Sequence, residues 1–67
     1  MGVVKIIDLV GTSPNSWEDA VKNAIEEATK TLRGITRAGV EELDVKVENN
    51  KIKEYRARVK VSFRVER

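Results

Sequence analysis

Apolar residues recur along this chain in three rhythms, and each rhythm predicts a different element. Val3, Val4, Ile6, Ile7, Leu9 and Val10 are broken only by Lys5 and Asp8, a β-rich run that Gly11 is expected to end. Both faces of that first strand are mostly apolar, so both need cover, unlike a sheet with one wet side. After the polar stretch from Thr12 to Asn15, Trp17, Ala20, Val21, Ala24, Ile25, Ala28 and Leu32 follow at helical spacing and form one stripe. Ser16 is placed to cap this helix, Asp19 to close a short-armed capping box, and Gly34 to stop it, which predicts a helix over 16–33. Glu18 with Lys22 and Glu26 with Lys30 are exposed pairs in the favourable orientation.

The third rhythm is strict alternation. Tyr55, Ala57, Val59, Val61, Phe63 and Val65 lie on one side of the last strand, with Arg56, Arg58, Lys60, Ser62 and Arg64 on the other. The segment from Arg37 to Glu48 is also strand-like, but Ala38 and Val40 belong to one phase while Leu43, Val45 and Val47 belong to the other. A bulge or kink near Glu41 and Glu42 reconciles them. Asn49 and Asn50 tolerate the positive φ of a tight hairpin turn between these two strands. The order is therefore β-α-β-β, an α+β fold. If all neighbours are antiparallel, the last strand lies in the middle, giving a three-stranded sheet of order 1-3-2 packed on one helix.

Length limits what such a chain can do alone. Its 67 residues predict a single domain over 1–67, and a domain this small usually needs disulfides, a structural metal or further copies of itself. There is no cysteine and no histidine, so thiolate or imidazole chemistry is absent and self-assembly is the staple left. The formal charge of +2 is too mild to indicate a nucleic-acid partner by itself. Its distribution says more: residues 37–50 carry two basic and four acidic side chains, and residues 51–67 carry seven basic and two acidic. No stretch is long and apolar enough to span a bilayer and no leader pattern precedes the first strand, which predicts no membrane partner and a cytoplasmic location.

Candidate chemistry is correspondingly narrow. Ser13, Ser16 and Ser62 have no recognisable base, and Glu41 and Glu42 are expected to point to opposite faces as consecutive strand residues, so no enzyme is expected. The row Arg56, Arg58, Lys60 and Arg64 can be read as a phosphate track or as a cross-strand charge ladder with Glu42, Asp44 and Glu48. Three aromatic residues in the chain leave bases little to stack on, which favours the ladder. Trp17 is expected to pack at the helix start. Asp8, Glu42 and Asp44 offer hard oxygen ligands suited to calcium, and one chain supplies too few of them to fill its shell of about 6 to 8 oxygens. Carboxylates repeated about a symmetry axis can.

Taken together, Val10-Gly11-Thr12-Ser13 after an apolar strand, Ser16-Trp17-Glu18 opening an alanine-rich helix, and Glu54-Tyr55-Arg56 through Val61-Ser62-Phe63 resemble the dodecin family. The resemblance spans essentially the whole chain and implies a hollow homododecamer. Familiar dodecins hold flavins against a tryptophan at the start of the second strand and a glutamine on the last. Those positions fall here on Arg37 and Arg56, which implies loss of the usual flavin clamp. The run from Gly11 to Glu18, with Tyr55, Arg56 and the carboxylates Asp8, Glu42 and Asp44, more closely resembles the branch described as calcium dodecins. The leading expectation is a binding or storage shell, with calcium at Asp8, Glu42 and Asp44. The alternatives are a flavin or anionic nucleotide-like cofactor at Arg37 and Arg56, and a small nucleic-acid-binding module.

Overall fold

The computed structural model describes residues 2–65. Four elements follow in order: β1 (Val4–Ser13), α1 (Trp17–Thr29), β2 (Ile35–Glu48) and β3 (Lys51–Arg64). The sheet is antiparallel throughout with order β1-β3-β2, so the strand with the most regular alternation is central, as expected. The α+β assignment and the 1-3-2 order both hold.

The core is small and built on close approach. Ala57, Val59 and Val61 of β3 are fully buried beneath Ala20 and Ala24 of α1, with Ile7, Leu9, Val21 and Ile35 packed around them. Alanine on the buried helix face lets the helix axis sit near the sheet. Gly11 completes that seam, because a Cβ there would collide with the carbonyl oxygen of Ala20 and stand 2.9 Å from Ala24 Cβ. Gly11 therefore does not end β1, as the sequence suggests, but lets it run under the helix to Ser13.

Capping follows the expectation in part. The Asp19 N–H donates to Ser16 Oγ at 3.0 Å, which satisfies one of the unpaired donors at the helix start. The Asp19 carboxylate does not return the bond to the cap. It accepts instead from Ser13 Oγ at 2.8 Å, while that buried hydroxyl accepts from the Asn15 N–H at 2.9 Å. The turn between β1 and α1 is thus tied to the helix.

At its other end α1 stops at Thr29, four residues short of the expected boundary. There the ladder tightens, with Lys30 N–H bonding Glu27 O and Thr31 N–H bonding Ala28 O, both at 3.2 Å. Gly34 has the expected left-handed backbone, φ 71°, but uses it to enter β2, where its carbonyl accepts from Arg64 N–H. Lys30 pairs with Glu27 at 3.2 Å. The expected Glu26–Lys30 and Glu18–Lys22 pairs are not formed among the described residues. Asn49 and Asn50 take φ 53° and 61° in the hairpin turn, as their side chains allow.

β2 carries the expected irregularity. Val40 faces Val59 and Glu42 faces Arg58, which leaves Glu41 as an extra residue without a partner. Further register shifts fall between Ile35 and Arg37 and between Lys46 and Val47. The hairpin of β2 and β3 makes the molecule long, with extents of 50 × 19 × 13 Å. α1 lies over β1 and β3 and scarcely reaches β2.

Candidate functional site

Alternation puts the charged residues of β3 on the sheet face away from α1, and the registers of β1 and β2 decide what meets them. Asp8 lies opposite Lys60, Glu42 opposite Arg58, and Asp44 opposite Arg56. Asp8, Glu42, Asp44, Arg56 and Arg58 line one concavity of about 170 Å³, with Leu9 and Val10 at its side. A neighbouring concavity adds Glu41 and Lys60. The three carboxylates singled out from the sequence therefore share one face and one hollow.

Glu41 was missed by pattern reasoning. Consecutive residues of a regular strand point apart, but the bulge turns Glu41 onto the face of Glu42, so both line the same hollow. The signal was present in the sequence as the phase change between Val40 and Leu43. A bulge that restores the hydrophobic phase also places its extra residue.

Electrostatically the face is mixed. Four carboxylates, Asp8, Glu41, Glu42 and Asp44, stand among three cations, Arg56, Arg58 and Lys60. Arg56 Nε lies 3.6 Å from Asp44 Oδ1, an ion pair across the β2–β3 ladder. Glu48 pairs with Lys46 at 3.7 Å and Lys53 at 3.8 Å nearer the hairpin tip. All these groups are largely exposed, so each pair contributes little to stability by itself. A pair this exposed is held weakly, so Asp44 as well as the unpaired carboxylates remains available for a ligand.

Hard oxygen donors are what calcium takes, and the donor set fits it in kind. It does not fit in number: among the described residues of one chain, no three acidic side chains converge closely enough to hold a metal ion. The remaining ligands would have to come from other copies. Arg37 and Arg56 are also kept apart. Arg37 pairs with Ser62, six residues along β3 from Arg56, a separation of roughly 20 Å at about 3.4 Å per residue. One protomer does not bring those two guanidinium groups to a common ligand.

The rest of the surface is unusual for a small protein. Val4, Ile6 and Val10 of β1 are more than half exposed beside the charged row, and Val40, Leu43 and Val47 of β2 are about half exposed on the helix side. Trp17, at the helix entrance, sets its ring edgewise on Tyr55 with centroids 5.1 Å apart and donates its indole N–H to Asp44 O at 2.9 Å. Its role is packing and anchorage, as expected from its position. No described helix is long and apolar enough to cross a membrane.

The combination defines a class: small β-α-β-β proteins whose single helix leaves much of the sheet for other surfaces to cover, with an ion-rich face opposite the helix. The chain belongs to the dodecin family, whose model matches residues 3–66. It is 40% identical over 65 residues to the calcium dodecin of Mycobacterium tuberculosis, covering 97% of this chain and 92% of that protein. It is 38% identical over 64 residues to a dodecin of Thermus thermophilus, covering 96% and 93%. Among solved structures, the calcium dodecin of M. tuberculosis, described as a calcium-chelating antigen with a novel calcium-binding site, superimposes with a TM-score of 0.86. That match has 42% identity and covers 96% of this chain and 91% of the other.

Proposed function

We propose that the protein is a cytoplasmic, homododecameric binding and storage shell that holds calcium at carboxylates of the polar sheet face. One observation carries the reading: Asp8, Glu41, Glu42 and Asp44 are gathered on one face of a protomer whose bare apolar strands call for other copies. Assembly multiplies whatever one chain presents, so a pair of carboxylates becomes a fuller oxygen shell where copies meet about a symmetry axis. The likeness to a protein called calcium dodecin supports the choice of ion. Sequestration needs no turnover, and a chain without histidine or cysteine is suited to that task.

Flavin binding is the weaker reading, because Arg37 and Arg56 stand far apart in one chain. Nucleic-acid binding is weaker still, since the carboxylates between the cations would repel a phosphate backbone. The test is native mass spectrometry of untreated protein followed by calorimetric titration with calcium chloride. Twelve copies and a saturable calcium isotherm are expected, with a melting temperature that rises with calcium and falls with chelator. A dodecamer that releases no heat with calcium would end the ion assignment and leave the shell.

A further inference from the structure

Among the described residues, one line across the sheet is hydrogen-bonded from α1 at both of its ends. Thr12 of β1, Arg56 of β3 and Asp44 of β2 stand opposite one another and form a single rung. α1 bonds both ends of it. Asn23 Nδ2 donates to the carbonyl oxygen of Thr12 and Trp17 Nε1 to that of Asp44, each at 2.9 Å. The next rungs of the polar face toward the middle of the sheet, Val10–Arg58–Glu42 and Asp8–Lys60–Gly39, receive no helix hydrogen bond at either end among the described residues, and the neighbouring rung Ser13–Tyr55–Val45 is tied to α1 only at its β1 end, through Ser13 Oγ and Asp19.

The polar side chains of the clamped rung also pair, Arg56 Nε to Asp44 Oδ1 at 3.6 Å. Asp44 has particular need of a fixed point. It lies in a short regular stretch of β2 between two register shifts, after Val40 and after Lys46, where a strand bends and twists most easily. The edgewise contact of Trp17 with Tyr55 steadies the indole from which the clamp acts.

We infer that Trp17 and Asn23 are positioning residues for the polar-face site, holding from the opposite side of the sheet the rung that presents Asp44 and Arg56. Neither touches the charged hollow. They act through the backbone of Thr12 and Asp44, and Asp44 then meets a ligand in a set place instead of over a range of them. The effect on calcium rests on the binding reading above; the effect on the Asp44–Arg56 pair does not.

The experiment uses the full chain with Trp17→Phe, which keeps a ring and removes the donor, and separately Asn23→Ala. Sedimentation first establishes that each variant assembles as the parent does. Crystal structures without added metal then read the Asp44–Arg56 separation, and calorimetry with calcium chloride reads affinity. The pair is expected to open beyond ion-pair distance in both variants. Calcium affinity is expected to fall about fivefold in each, the size of one lost hydrogen bond. Parental pair geometry and parental affinity in both variants would overturn the inference. If the parent itself takes no calcium, the binding reading fails and pair geometry alone decides the clamp. If Trp17→Phe does not assemble, Asn23→Ala carries the test, and failure of both assigns these residues to folding and refutes the positioning role.

Discussion

The half of the sheet under the helix and the half beyond it are written in the same alphabet and end in different states. Val59 and Val61 of β3 alternate with charged residues and are fully buried. Val40, Leu43 and Val47 of β2 also face the helix side, yet are 49%, 48% and 57% exposed, because α1 does not extend over them. Apolar patterning therefore specifies which face is meant to be covered, not what covers it. For β1 and β3 the cover is α1. For β2 the helix supplies none, and the same holds for Val4, Ile6 and Val10 on the opposite face, which marks both as surfaces fit for another molecule.

The contrast can be broken from either side, and the largest effect belongs to the covered half. Val59→Asp places an unpaired charge where no water reaches, at a cost of about 3 to 5 kcal/mol, so the far-ultraviolet circular dichroism spectrum should lose its folded form. Leu43→Asp, in the uncovered half, should act on association: sedimentation should show small species that retain the helical signal and melt at a lower temperature. Parental assembly by Leu43→Asp would mean that β2 is not covered by another copy.

Gly11→Ala sharpens the comparison at the seam. It forces α1 away from β1 and should lower stability by about 1 to 3 kcal/mol in chemical denaturation while leaving assembly recognisable. Lys30→Ala removes an exposed i,i+3 pair with Glu27 and should shift stability by no more than ~0.5 kcal/mol in the same assay. A large change there would mean that the helix C-terminus is buried in the assembled particle.

Most of the fold could be read from the chain because the physics involved is local. Alternation around Val59 names a strand, Ser16 names a helix start, and the mismatch between Val40 and Leu43 names a bulge. The chain misleads where a local signal is outweighed by a distant contact. Gly11 reads as a break, yet is required by Ala20 and Ala24 lying against it. Asp19 reads as the return arm of a capping box, yet turns to Ser13. The candidate site divides the same way. Asp8, Glu42 and Asp44 could be placed on one face by counting residues, whereas the indole bond from Trp17 to Asp44 spans 27 positions and has no sequence signature.

The extra residue in the middle of β2 gives this sheet a local tolerance. Glu41 stands opposite no residue of β3, so its removal would leave Val40 across from Val59 and Glu42 across from Arg58 as before. A one-residue deletion elsewhere in a strand exchanges its inner and outer surfaces. At this point it would subtract a single negative charge and straighten a bend. Position 41 is thus a place where the chain can shorten, and the charge of the face can change by one, without any partner being reassigned.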